Sequence, residues 1–265
     1  MSSLHRFEGN EGYTTQMFRT LSHSGRIAVR LGASALGLIS LAGCQSVNIN
    51  AGNVAQVRFI QASPDAPGID FYANNAAEAY NVGFGYGTSY VPVSPGTYTI
   101  QADKADTRTV LATAGQGMAI GQQYTVLVGN TLGSLQETIL TDQSTPAPTN
   151  EISVRVIDEA TRVGAVDIYL VPSSGKLATT ALLTNLTNLT FGTNTGYINI
   201  PAGTYAIAVV PTGTVPVSTT VTLLSGPQVG YAVGAVRTVV IIDQQVTTTP
   251  GVAAFVADDY DSPSS

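Results

Sequence analysis

The chain has 265 residues, 44% hydrophobic and only 11% charged, with a formal net charge of −6, one cysteine and no tryptophan. So few charges beside so much apolar content exclude a disordered chain, and a single cysteine excludes a disulfide framework or a paired-cysteine zinc site. No apolar run reaches the roughly 20 residues that span a bilayer.

In chain order, Arg26 and Arg30 precede an apolar stretch over 31–42 that ends at Leu41-Ala42-Gly43-Cys44. A basic start, an apolar centre of about 7 to 15 residues and small residues at the cut read as a secretory signal over 1–43. Glu8 and Glu11 stand ahead of that signal, and a start at Met17 gives a leader free of acids, so Met17 is the alternative translation start. Leu-Ala-Gly-Cys resembles the lipobox of bacterial lipoproteins. The resemblance implies cleavage before Cys44, lipid on its thiol, and anchoring in the bacterial cell envelope. Gln45 is not the aspartate that often retains such proteins on the inner membrane, which implies the outer membrane where the source has one. Residues 44–55 then form a lipidated tether.

Removing the leader takes away four arginines, two glutamates and both histidines, leaving seven basic and fifteen acidic residues. Without histidine, Ser-His-Asp and Cys-His catalysis are excluded, as are imidazole metal sites. An acidic chain with seven scattered bases lacks the patch that nucleic acid requires. The pattern calls for no cofactor and no metal.

The mature chain repeats itself. Val57-Arg58-Phe59-Ile60 matches Val154-Arg155-Val156-Ile157, and Ile69-Asp70-Phe71-Tyr72 matches Val166-Asp167-Ile168-Tyr169, both 97 positions apart. After a ten-residue insertion the spacing is 107, carrying Phe84-Gly85, Tyr90 and Gly96-Thr97-Tyr98 onto Phe191-Gly192, Tyr197 and Gly203-Thr204-Tyr205. Asp142-Gln143 and Asp243-Gln244 read as the ends of the two copies. Short runs of Val, Ile, Thr and Tyr, punctuated by Gly, Pro and Asn, predict strands near 57–61, 69–73, 89–93, 97–102, 109–112, 123–129 and 136–141. The expected fold is all-β: two tandem immunoglobulin-like or transthyretin-like β-sandwiches, over 56–143 and 153–247. A Pro-rich linker at 144–152 joins them, and an acidic C-terminal tail follows at 248–265.

Alternation within the strands turns Val57, Phe59, Ile69 and Phe71 inward, and Arg58, Asp70 and Tyr72 outward. The same phase turns Arg155, Asp167 and Tyr169 outward in the second copy. Arg58 with Asp70, and Arg155 with Asp167, are therefore expected as exposed structural ion pairs between adjacent strands. Tyr90 and Tyr197 also face out. With Tyr72 and Tyr169 they give each domain two outward tyrosines, a binding surface for an envelope polysaccharide or protein, or else a cover for the sheet or the neighbouring domain. Tyr98 and Tyr205 belong to the core, their hydroxyls tied to backbone.

Gln61-Ala62-Ser63-Pro64-Asp65-Ala66-Pro67-Gly68-Ile69-Asp70-Phe71-Tyr72, with Phe84-Gly85, Tyr90 and Pro95-Gly96-Thr97-Tyr98, resembles the bacterial domain-of-unknown-function 4397 family. The resemblance implies a secreted or lipid-anchored envelope protein with the unit in tandem and no established enzymatic activity. The second copy departs from the pattern, with Asp158-Glu159-Ala160-Thr161-Arg162 in place of the Ser-Pro-Asp-Ala-Pro turn. Ser173-Ser174-Gly175-Lys176 fits S-x-x-K but lacks the partner motifs of penicillin-binding enzymes. Gly83 to Gly87 is glycine-rich with no helix behind it to receive phosphate. Carboxylates remain as the catalytic resource: Asp65 with Asp70, Asp103 with Asp106, Asp158 with Glu159, and the tail acids. The expected function is a non-enzymatic envelope lipoprotein, structural or binding, held to the membrane through a lipid on Cys44. The alternative is a carboxylate-dependent envelope hydrolase.

Overall fold

The computed structural model describes residues 53–244 and 251–261, so the expected signal over 1–43 and Cys44 lie outside the described residues. Among the described residues there is no α-helix, and none is long and apolar enough to cross a membrane. The first copy forms β1 (Ala55–Gln61), β2 (Ile69–Ala73), β3 (Ala76–Val82), β4 (Tyr86–Gly87), β5 (Val91–Val93), β6 (Gly96–Lys104), β7 (Val110–Met118), β8 (Gln123–Gly129) and β9 (Gln136–Asp142). The second forms β10 (Glu151–Asp158), β11 (Val166–Pro172), β12 (Asn194–Pro201), β13 (Gly203–Pro211), β14 (Leu224–Ser225), β15 (Val229–Tyr231), β16 (Val236–Asp243) and β17 (Val252–Tyr260).

Each copy is a β-sandwich. In the first, the sheet β4-β1-β8-β9, with β5 also on β1, faces the sheet β3-β2-β6-β7. In the second, β12-β10-β16-β17 faces β11-β13-β14, with β15 also on β13. Phe59 and Phe71, from opposite sheets, stack at 4.7 Å in the first core, beside Val57, Ile69, Ile100 and Val126. Val156 and Ile168 stand at the matching places in the second core. Burying each such aliphatic or aromatic side chain contributes roughly 1.5–3 kcal/mol.

One sheet of each sandwich is covered on both faces. Ile60, Ala62 and Leu127 leave the first core in alternate phase and pack against Ile157, Val240 and Ile242, which leave the second. This explains why β1 and β8, and β10 and β16, pair parallel: parallel strands occur where both sheet faces are dry. It also explains why β1 and β10 are buried along almost their whole length, their polar residues included. Glu159, just past β10, lies against Gly129 at the end of β8, so the C-terminal ends of these strands share one end of the seam.

Three of the expected bounds need correction. Within the expected acidic tail, Val252–Tyr260 is a strand: β17 pairs antiparallel with β16 along its length, and Val252 enters the second core. Without β17 the sheet would end at β16 with its ladder groups unpaired. β17 completes the second sheet as β9 completes the first. The second correction is β3, an alanine-rich strand at the sheet edge with two register shifts against β2. β10 also begins at Glu151, inside the expected linker, which is packed down by an Ala147 N–H to Gly234 oxygen bond of 3.0 Å.

Candidate functional site

Arg58 on β1 and Thr125 on β8 are direct neighbours across the parallel ladder, as are Arg155 on β10 and Thr238 on β16. All four point out of their own cores and into the seam, where the arginines are about 2% exposed. The carboxylates that meet them come from the last strand of each copy, Asp142 on β9 and Asp259 on β17. Pairing is reciprocal. Arg58 Nη2 donates to Asp259 of the second sandwich, and Arg155 Nη2 donates to Asp142 Oδ1 of the first at 2.5 Å.

Each carboxylate is further held by its own copy. Asp142 Oδ2 accepts from the Tyr90 and Thr125 hydroxyls, both at 2.6 Å. Asp259 Oδ2 accepts from Tyr197 at 2.8 Å and Thr238 at 2.7 Å. The guanidinium of Arg58 lies 4.7 Å from the Tyr90 ring centre, and that of Arg155 lies 4.7 Å from Tyr197. Arg58 Nε bonds Thr125 Oγ1 and its Nη1 bonds the Asp258 carbonyl. Arg155 reaches Thr238 Oγ1 and the Thr141 carbonyl in the same way. Two sets of Arg, Thr, Tyr and Asp thus meet about a local two-fold, each arginine served by the other copy's aspartate.

The electrostatics follow from this enclosure. Burial acts against the charge on Arg58, but Tyr90, Asp259 and Asp142 outweigh it and hold the guanidinium protonated above its ordinary value. Burial pushes the Asp259 carboxyl up, with Arg58 opposing. Burial drives the Tyr90 and Tyr197 hydroxyls far above the usual phenol range, so both remain donors. Two fixed charges of each sign, closed off from water, form a clamp.

At the far end of the seam sits a second ionisable group. Glu159 follows β10 and lies over Gly129 of the first sandwich, where any Cβ would collide with its carboxylate. Burial, with Asp158 adding, pushes Glu159 up to about 7, and the Asn130 N–H draws it back in part. Burial likewise pushes Asp158 up to about 6, against the Ala160 N–H at 3.0 Å. Asp243 is spent on the same turn, accepting from the Thr161 N–H and hydroxyl and the Arg162 N–H.

The expected ion pairs are not the ones formed. Asp70 and Asp167 lie on β2 and β11, in the sheets facing those of Arg58 and Arg155, so the outward side of one is directed away from the other. Asp70 accepts the N–H groups of Asn81 and Asp106, at 2.7 and 3.1 Å. Asp167 accepts from Asn188 N–H, Thr212 hydroxyl and Gly213 N–H. Both fasten loops. The four expected tyrosines also divide: Tyr90 and Tyr197 are in the seam, while Tyr72 and Tyr169 lie on the outer sheets. Tyr72 is covered by Arg108, whose guanidinium sits 3.7 Å from the ring centre, and Tyr169 packs with Val171 and Ala208. Tyr98 and Tyr205 pack on the cores and donate to the carbonyls of Ser94 and Pro201 at 2.7 and 2.8 Å. Thr125, Thr238, Asp142 and Asp259 escape sequence reasoning as site residues, although the acid at the end of each copy's last strand is a signal for two of them.

The outer sheets differ sharply between copies. In the second, Tyr169, Val171, Ala208 and Val210 are buried under Leu177 and Leu182 of the 173–190 segment, which includes the ten-residue insertion. In the first, the β6 positions matching Ala206, Ala208 and Val210 carry Thr99, Gln101 and Asp103, and among the described residues no covering segment buries Thr99, which is exposed, or Gln101, which is half-buried. Asn74, Asn75, Thr99 and Gln101 line an open groove there of about 330 Å³.

A domain of the family described as "Domain of unknown function (DUF4397)" is found at residues 55–169, from β1 into β11. No curated protein matches the chain. Among solved structures it is similar to the Bacillus anthracis TIE protein, at 10% identity and a TM-score of 0.22, covering 78% of this chain and 44% of that one. It is also similar to CBMbc, of family CBM26, from Eubacterium rectale Amy13K in complex with maltoheptaose, at 9% identity and a TM-score of 0.23, covering 78% of this chain and all of that one. The chain thus spans less than half the length of the TIE protein chain.

Proposed function

We propose that this chain is a non-catalytic protein of the bacterial cell envelope, held to the membrane by a lipid on Cys44, whose two clamped sandwiches act as one stiff body and present a partner-binding sheet. The sequence Leu41-Ala42-Gly43-Cys44 behind an apolar leader supports the anchor. The binding half rests on the contrast between outer sheets: the second copy closes its sheet with a covering segment, while the first leaves the same sheet open and polar. The seam absorbs Arg58, Arg155, Asp142, Asp259, Tyr90 and Tyr197 into mutual contacts, which leaves them to hold the body together.

The test uses the full chain in two arms. Wild-type protein takes up labelled palmitate and enters detergent, and Cys44→Ala does neither; label that survives the substitution overturns the anchor. For the sheet, Thr99→Cys in a Cys44→Ala background is capped with a bulky maleimide and co-sedimented with isolated envelope material. Capping lowers binding tenfold or more, whereas capping Val215→Cys on the second sandwich leaves it unchanged. Equal binding after both caps overturns the sheet as the presenting face.

A further inference from the structure

The open sheet of the first sandwich has a floor that packing does not explain. On its outer side β6 shows Thr97, Thr99 and Gln101, and their direct partners on β7 are Gly117, Gly115 and Thr113. Glycine inside a strand gives up side-chain packing and costs chain entropy, and it marks places where a ligand or another backbone comes close. Neither glycine has a positive φ. A Cβ on Gly117 would meet nothing within 4 Å, and one on Gly115 would meet only the Tyr98 carbonyl at 3.8 Å. Larger residues therefore fit the protein itself, so the bare strip gains its sense from something lying on it.

We infer that this strip, bordered by the β2–β3 turn and two tyrosines, is the binding groove for an uncharged polysaccharide chain. Asn74 and Asn75 take positive φ in the two-residue turn that joins β2 to β3, and raise one wall. Gln101 stands directly across from Tyr72, and Tyr80, 69% exposed, meets Tyr72 edge-on at 6.4 Å. A flat glycine strip admits a sugar ring, and an exposed tyrosine offers an apolar face with a hydrogen-bonding tip. Amides and hydroxyls supply both donors and acceptors, which is what a chain of hydroxyl groups needs.

Charge selects among glycans. The groove that adjoins the strip, through Thr99 beside Gly115, is lined by Asn74, Asn75, Thr99 and Gln101, with no ionised group. Beside it, Arg108 is paired with the buried Asp103 at 3.4 Å and stacked on Tyr72. From Cys44 onward the chain carries fifteen acids against seven bases, a field that repels polyanions. In the second copy Thr99 and Gln101 are matched by Ala206 and Ala208, which pack beneath the covering segment, so the same sheet there is shut.

This inference rests on the proposed presenting sheet and names its ligand class. Affinity electrophoresis of the full-length Cys44→Ala protein is run through dextran, mannan, galactan and xyloglucan, with alginate as the charged comparison. Retardation is expected with at least one of the four uncharged chains and absent with alginate. Gly117→Leu is expected to weaken that binding tenfold or more while leaving the urea midpoint unchanged, and Tyr80→Ala to weaken it about fivefold. No retardation by any uncharged chain overturns the inference. Binding to alginate alone that Gly117→Leu abolishes overturns the ligand class and leaves the presenting sheet standing. Binding to an uncharged chain that Gly117→Leu does not change overturns the location, for this inference and the presenting sheet together.

Discussion

Asp258 and Asp259 are adjacent in sequence and opposite in circumstance, which makes them a direct test of the clamp. Asp259 is 3% exposed and its carboxylate holds Arg58, Tyr197 and Thr238. Asp258 is about 65% exposed at the side chain and pairs with Arg237 at 2.8 Å. Asp259→Ala leaves the Arg58 guanidinium buried with only Asp142, at 3.8 Å, as counter-charge. Removing one partner of a buried ion pair costs about 3–5 kcal/mol, and each buried hydroxyl left without an acceptor adds about 1–3 kcal/mol before relaxation. The remaining contacts of Arg58 offset part of this, and the expected loss is about 4 kcal/mol. Asp258→Ala removes an exposed pair and is expected to cost less than about 1 kcal/mol. Urea unfolding followed by circular dichroism gives both values from full-length Cys44→Ala protein. Asp142→Ala should match Asp259→Ala, and the double variant should cost less than the two together, because both carboxylates serve one network. Equal costs at 258 and 259, within about 0.5 kcal/mol, would refute the buried reciprocal pairing.

Two further predictions concern Glu159 and the β2–β3 turn. Folded Glu159 titrates near 7 and unfolded near 4.5, so between those values the folded protein keeps a proton that the unfolded chain has lost. The stabilisation is complete below about 4.5 and drains away as pH rises through 7, by on the order of 3 kcal/mol. Glu159→Gln should therefore be the more stable form at pH 8 and lose part of the slope between pH 5 and 8; parallel stability curves would contradict this. Asn74→Ala removes a positive-φ residue whose amide bonds the Thr97 carbonyl and the Thr99 N–H, at 3.1 and 2.9 Å. It should cost about 1–2 kcal/mol by the same unfolding assay, and a cost below about 0.3 kcal/mol would show that the turn is not held this way.

What the sequence conveys and what it withholds divide along one line. Phase within a strand is legible from alternation: Val57 and Phe59 do enter the core, and Arg58, Tyr90 and Tyr197 do leave it. What lies on the far side of a sheet is not legible, because no residue of β1 states that β10 will cover it. Arg58 was thus expected in water beside Asp70, though β1 and β2 belong to facing sheets and their outer sides diverge. β17 was missed because Asp258, Asp259 and Asp261 suggest a solvated tail, and a buried aspartate is recognised only when its arginine is known. The matching of Asp243 with Asp142 hid the same strand: Asp243 ends β16, so its place corresponds to the end of β8. β3 was missed because alanine is a weak strand former and its place there is set by pairing to β2.

The pattern of similarity between the copies has a physical cause in the clamp. An arginine in one sandwich is neutralised by an aspartate in the other, so losing Asp142 removes the salt bridge of Arg155, and losing Asp259 leaves Arg58 with only the longer contact to Asp142. Each copy's Arg, Thr, Tyr and Asp are therefore tied to the other copy's set, and the inner sheets keep the same four residue types at matched places. No such tie joins the outer sheets, which are the most widely separated layers of the stack. There the copies differ in kind: Gln101 against Ala208, Asp103 against Val210, an open groove against a covering segment. A fused pair with one constrained interface and two unconstrained outer faces can specialise one face for a ligand without loosening the body that presents it. The specialised face is then the one that has stayed polar and bare, and in this chain that is the strip of Gly115 and Gly117 on the first sandwich.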